Sequence, residues 1–270
     1  MRPYSLRFSH QVLTATIVAL VGVNAARAWG PEGHSAVARI AASNLTAQAQ
    51  AEAKSLLTPH ETLAVISSWA DDVRTDHPET GPWHFIDIPL TASTIDMERE
   101  CAEGNCVVHK IEEFESVLKN KSADAAARRE ALEFLVHFMG DLHQPLHASD
   151  NNDQGGNKVQ VIFLGQPGNL HAVWDSGIIR REKLWGDQLA TTLEQRITPE
   201  QKAAWKRGSV SDWALESHAL AVKVVYGKLP AGSPPNLSDD YTQSMLPVVE
   251  EQIEKAGIRL AYLLNQALSQ

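Results

Sequence analysis

Apolar residues return every three or four positions along much of the chain. "EGHSAVARIAASNL" (32–45) and "AQAQAEAKSLL" (47–57) show the pattern, and the stretches 107–119, 122–144, 199–206, 211–227 and 239–268 repeat it. That period predicts amphipathic helices. Thr58 with Glu61, and Thr198-Pro199 with Gln201, read as capping boxes, and Ser122 and Ser238 read as N-caps. Only "KVQVIF" (158–163) alternates like a strand, with "GGN" before it and "GQPGN" after it, so a small β-hairpin is the most it makes. The Pro/Gly-rich "LPAGSPPNLS" (229–238) reads as a connector to the last helix. There are no repeats and no low-complexity tract. The expectation is a single all-α domain, mainly helical with one small hairpin.

The first 28 residues stand apart. Arg2 and Arg7 precede "VLTATIVALVGV", an apolar run too short to span a bilayer, and "ARA" (26–28) offers small residues for cleavage. We read 1–28 as a cleaved signal peptide and 29–270 as one exported domain, periplasmic or secreted, with no membrane association after cleavage and monomeric. The domain is long enough to bury a substantial core. Losing the leader removes three arginines and no acid, which takes the formal charge from −9 to −12. An acidic surface argues against nucleic acid, whose affinity rests on basic contacts with phosphate, unless the protein carries cations that the count omits. The two cysteines, Cys101 and Cys106 in "CAEGNC", read as a short local disulfide in an oxidising compartment, with a metal pair as the alternative.

"HFMGDLHQPLH" (137–147) sets three histidines and an aspartate where an apolar helix should be. His137 and Asp141 are four apart and share a helix face. His143 points elsewhere and reads as a locally hydrogen-bonded residue. Pro145 stops or bends the helix, which can swing His147 back toward the pair. Imidazole and carboxylate are the usual ligands of a zinc site that keeps an open position. "NLHAVWDSG" repeats the spacing with His171 and Asp175; "SWADDVR" adds Asp71 and Asp72, and "WHFIDI" adds His84 and Asp87. Cleavage after Ala28 would free the amine of Trp29, which titrates near pH 8 and can join its own carbonyl oxygen in a chelate ring. His34 is placed to complete that set.

In "WGPEGH", "SWADDVR", "WHFID", "HFMGDLHQPLH", "GGN" and "HAVWD", in that order, the chain resembles the trinuclear-zinc single-strand-specific nucleases, the family of plant mung bean nuclease and its fungal counterparts. The resemblance covers most of residues 29–270. It implies a helical fold shared with zinc-dependent phospholipase C and three Zn2+. One zinc is expected on Asp71, His84, His137 and Asp141; a second on Trp29 and His34, with Asp141 as bridge; a third on His147, His171 and Asp175. It further implies hydrolysis of single-stranded DNA and RNA to 5′-phosphorylated products, with 3′-nucleotides as additional substrates. Water activated between the Asp141-bridged pair attacks phosphorus in line, with Asp71 orienting or deprotonating it, and the third zinc faces the departing 3′-oxygen. Arg74 would steady the phosphate or be an ordinary surface arginine. Phe85 would stack a base, or merely pack.

The chain departs from the fungal pattern where those members contact the base. Ser176 follows Asp175 in place of an asparagine, and the disulfide loop reads "AEGN" without an aspartate. Base preference therefore does not transfer. Asn157 in "GGN" caps the hairpin or touches substrate, the structural role being favoured. Two rivals remain: a zinc phospholipase C, and a non-catalytic zinc-binding protein, whose histidines would be expected in flexible His-rich tracts.

Overall fold

The computed structural model describes residues 29–269; the leader expected at 1–28 lies outside the described residues. The α-helices among them are α1 (Gly30–Ser43), α2 (Ala47–Leu56), α3 (Leu63–Ile66), α4 (Trp69–Val73), α5 (Met97–Glu100), α6 (Val107–Lys119), α7 (Ala125–Leu142), α8 (Leu170–Ala172), α9 (Asp187–Glu194), α10 (Pro199–Trp205), α11 (Val210–Leu220) and α12 (Asp239–Leu268). Short 3-10 turns at Pro78–His84 and Pro145–Ala148, and π-helical stretches at Val173–Gly177 and Ala221–Tyr226, complete the main elements around the site. No helix among the described residues is long and apolar enough to cross a membrane.

The core follows from the apolar stripes. α12 packs along α1 and also meets α6 and α7, while α6 and α7 pair with each other. Gly257 of α12 allows the first of these contacts, since a Cβ there would lie 2.6 Å from the Ile40 side chain of α1. The second half of α7, from Ala131 to Leu142, is buried all round. Such a helix lies at the centre of a domain, and any polar group on it needs a partner. Beneath the candidate ligands runs an aromatic layer. The Phe114 and Phe134 rings stack at 4.8 Å, Trp69 meets Phe134 edge-on at 5.1 Å, and Phe138 meets His84 edge-on at 5.0 Å. Rings so placed leave His84 little room to turn.

Several expected boundaries hold and others move. The Thr198 capping box forms with Gln201, and Ser238 caps α12. Ser122 does not cap α7: Asp124 does, accepting from Ala126 N–H, while Ser122 N–H donates to the Asn120 side chain. Thr58 N–H does donate to Glu61, but the pair closes a turn, and Thr62 caps α3 instead. The segment 211–227 is α-helical only as far as Leu220 and then widens into the π-helical stretch.

The hairpin forms as β1 (Gln160–Phe163) against antiparallel β2 (Gln166–Asn169). Leu164 and Gly165 both have positive φ, as a two-residue turn matching strand twist requires. The expectation for 229–238 needs correction. Its end supplies β3 (Asn236–Leu237), which pairs in parallel with β1 to give the sheet order β2-β1-β3. β1 had an unpaired edge, and the connector satisfies it through Ile162 N–H to Pro235 O (2.8 Å) and Leu164 N–H to Leu237 O (3.1 Å).

Candidate metal centre

α7 supplies the centre. His137 and Asp141 lie on one face of it, with Asp141 Oδ2 3.3 Å from His137 Nε2. From α1, His34 Nε2 comes within 3.4 Å of Asp141 Oδ1. From the turn Pro78–His84, His84 Nδ1 lies 2.9 Å from Asp141 Oδ2. Asp71 of α4 brings its Oδ1 to 3.8 Å from His137 Nε2. α7 ends at Leu142, and the turn Pro145–Ala148 carries His147 back under His84, whose carbonyl accepts from His147 Nδ1 at 2.8 Å. His147 Nε2 then faces His171 Nε2 at 3.1 Å, and Asp175 Oδ2 lies 3.3 Å from His171 Nε2. The second HxxxD pair thus keeps one face although the helix widens between its members.

Three groups result, each with ligand atoms within 4.8 Å of one another: His34, His137 and Asp141; Asp71, His84 and His137; and His147, His171 and Asp175. The sequence reading placed these eight side chains at the metals, and the structure brings all eight together. His137 and Asp141 stand between the first two groups.

The chemistry of the set fits a cation. Nδ1 of His137 donates to Ser67 O (2.7 Å), that of His147 to His84 O, and that of His171 to Gly155 O (2.7 Å). This fixes the tautomer and leaves the Nε2 lone pair pointing inward, as metal-binding histidines are commonly held. His34 Nε2, His84 Nε2, His137 Nε2 and Asp141 Oδ1 are buried with no hydrogen-bond partner. Buried polar atoms without partners are rare and costly; three of these, on His34, His137 and Asp141, belong to one candidate group, and an ion held there would satisfy them.

Electrostatics divide the centre. Burial opposes protonation of His137, yet the Asp141 and Asp71 carboxylates outweigh it and push the imidazole up to about 9. Burial also works on Asp141, but His137 and the neighbouring histidines hold it well below the carboxylate range. Burial pulls His34 and His84 down. In the third group burial dominates, taking His147 to about 3 and His171 to about 4 and holding Asp175 well above the carboxylate range.

The remaining expected residues fall around this centre. Trp29 is fully buried at the start of α1, and its carbonyl accepts from Gly33 N–H at 3.2 Å. Arg74 Nη1 lies 3.6 Å from Asp71 Oδ1, with about a quarter of its side chain exposed. Phe85 is 37% exposed, and its carbonyl accepts from Val107 N–H, beside the Cys101–Cys106 disulfide, which is formed. Ser176 Oγ lies where a Cβ on Gly30 would be (2.3 Å), so it packs against the amino end of α1. Asn157 donates to Gln154 O within its own turn. His143 donates from Nδ1 to Met139 O and accepts from Arg259 at Nε2, outside all three groups.

Three contributors were not anticipated. Gln144 donates to Asp175. Gly140 leaves room for His34, whose Nδ1 would be 2.6 Å from an added Cβ. Gly155 provides the carbonyl that orients His171. Only Gln144 left a trace of its role in the sequence, as a polar residue between two ligands.

A helical domain whose central helix gathers five histidines and three aspartates into adjoining groups has the makings of a multi-metal site. The chain belongs to the S1/P1 nuclease family, whose model matches residues 29–269. It is 34% identical to endonuclease 3 of Arabidopsis thaliana over 92% of this chain and 91% of that protein. It is 32% identical to nuclease P1 of Penicillium citrinum, covering 88% and 97%, and 31% identical to nuclease S1 of Aspergillus oryzae, covering 90% and 92%. The protein is a nuclease, a phosphodiester hydrolase.

Proposed function

We propose that the chain is an exported enzyme that cleaves single-stranded DNA and RNA to 5′-phosphorylated products and removes phosphate from 3′-nucleotides, using three Zn2+. The reading rests on one observation: three candidate ligand groups adjoin, and two of them share His137. Asp71, His84, His137 and Asp141 would hold one zinc, His34 and the freed Trp29 amino end a second with Asp141 as bridge, and His147, His171 and Asp175 the third. Zinc bound there supplies Lewis-acid polarisation of phosphate oxygens and water of lowered pKa.

The chain's own residues do the rest. Asp71 stands between Arg74 and His137, where it can orient the attacking water and take its proton. Arg74, partly exposed at the rim, offers a guanidinium to a non-bridging phosphate oxygen. Phe85 presents an exposed ring beside His84, a stacking surface for an unpaired base of either sugar type. A flipped base fits such a ring and a stacked duplex does not, which favours single strands. Asn157, bonded to Gln154 O within its own turn, and Ser176, packed against Gly30, would contact the base where substrate reaches their turns.

Export from a cleaved 1–28 leader and a monomeric state complete the proposal. The test pairs elemental analysis of the purified mature chain with products from denatured DNA, RNA, a 3′-nucleotide and phosphatidylcholine vesicles. Zinc near three equivalents with 5′-phosphorylated nucleotides is expected. Phosphocholine release without nucleotide would refute the substrate assignment, and bound zinc without turnover would refute catalysis.

A further inference from the structure

Gln144 is fully buried between the ligands Asp141 and His147 and belongs to none of the three groups. Each of its polar groups is bonded. Its backbone N–H donates to Asp141 O (3.0 Å), and its carbonyl accepts from His147 N–H (2.9 Å). Its side-chain Oε1 accepts from Leu146 N–H, and its Nε2 donates to Asp175 Oδ1, both at 2.6 Å. The amide orientation is determined by this set, because a backbone N–H can only donate and so claims the oxygen end.

Two consequences follow for the third group. The Leu146 bond caps the turn Pro145–Ala148 and so fixes where His147 stands. The Asp175 bond occupies Oδ1, which lies 3.9 Å from His147 Nε2, and leaves Oδ2 toward His171, 3.3 Å from its Nε2. One side chain therefore reaches across from the His147 turn to the π-helical stretch that carries Asp175. We infer that Gln144 is a positioning residue for the third metal: it turns Asp175 so that a single oxygen faces the cation, and it locks that carboxylate to the His147 turn. The inference rests on the reading that His147, His171 and Asp175 bind zinc. An ionised carboxylate at position 144 would accept from Leu146 N–H but could not donate to Asp175, whereas the amide does both.

The experiment uses zinc-loaded full-length mature protein and two variants, Gln144→Glu and Gln144→Met. Glutamate keeps the acceptor for Leu146 but sets a carboxylate against Asp175; methionine loses both bonds at similar length. Zinc is counted by elemental analysis along a chelator titration, beside thermal melts of the metal-free chains. We expect one zinc of three to bind about 10- to 100-fold more weakly in both variants, the other two being unchanged, with the metal-free melts showing both variants still folded at the assay temperature. Unchanged zinc retention in both variants would overturn the inference. Loss in the methionine variant alone would leave only the turn cap and overturn the Asp175 role. An unsubstituted protein that never holds a third zinc would overturn the underlying reading instead, a separate result. Should neither variant fold, hydrogen exchange of the Gln144 side-chain amide in the unsubstituted protein decides: a protected proton supports the bond to Asp175, and rapid exchange overturns it.

Discussion

Replacing Asp141 with alanine should cost more metal than replacing Asp175, and the structure says by how much. Asp141 touches three imidazoles from two groups: His34 at 3.4 Å, His84 at 2.9 Å and His137 at 3.3 Å. Asp175 reaches His147 and His171 of one group. Zinc held by four protein donors is worth about 10–16 kcal/mol, so one donor contributes on the order of 3 kcal/mol, or roughly 100-fold in affinity. Asp175→Ala should therefore weaken one zinc by about that factor and spare the other two. Asp141→Ala should weaken two zincs, each by at least as much, because the three imidazoles also lose the anion that separates them. The assay is dialysis against buffered free zinc set about tenfold above the dissociation constants of the unsubstituted protein, followed by elemental analysis. Near those conditions Asp175→Ala should retain about two equivalents and Asp141→Ala about one. Equal retention by the two variants would refute the bridging role of Asp141.

Three further outcomes are expected. Extra residues left ahead of Trp29 should lower the zinc content by one equivalent and remove most activity, because the second zinc is assigned to the freed amine; full zinc and full rate in an extended chain would refute that ligand. Gly140→Ala drives a methyl to within 2.6 Å of His34 Nδ1, so the pair should lose zinc before the third group does in a chelator titration, and unaltered order would refute the packing argument. Glu254 is only 6% exposed, and that burial, with Glu250 and Glu251 nearby, pushes it up to about 7. Its folded pKa lies above the unfolded value, so its stability contribution is full below pH 4.5 and is lost as pH rises through 7. Glu254→Gln should accordingly stabilise the metal-free chain by about 2–3 kcal/mol at pH 8 and by nothing near pH 4.5; a gain independent of pH in denaturant melts would refute this.

The helical fold and both HxxxD pairs were legible because a helix has one period, and residues four apart must share a face whatever surrounds them. The convergence of the pairs was not legible on that basis. Asp71 and His84 reach His137 only because α4 and the Pro78–His84 turn pack on α7, a tertiary fact that spacing does not encode; the family resemblance carried it. The same limit explains β3. Asn236 and Leu237 sit in a Pro/Gly-rich stretch with no alternation, and they become a strand because β1 offers them an unpaired edge. Ser122 and Asp124 are both good caps, and the choice depended on where α7 could meet α6. Gly140 and Gly155 stand inside the "HFMGDLHQPLH" and "GGN" motifs, but their roles were not legible there, since one acts through a missing side chain and the other through its carbonyl.

In the third group the burial that makes the site costly also favours a cation over a proton at the two imidazoles. Three of the five candidate ligand histidines have Nδ1 bonded to main-chain oxygen, so their Nε2 atoms are aimed before any ion arrives. In the third group burial holds both imidazoles neutral down to about pH 4, so no proton competes for those nitrogens near neutrality. The Asp141 side is different. There the carboxylates raise His137 to about 9, and a cation entering must displace that proton before the nitrogen can serve. The repulsion that would follow from bringing divalent charges together is lessened by Asp141, which lies between their ligands and carries its negative charge even in isolation from the metal. The acidic formal charge of the chain is then no obstacle to binding a polyanion. On the proposed reading, the field at the scissile phosphate would be set by the ions and Arg74, at close range and in low dielectric, while the acidic exterior acts across screened water.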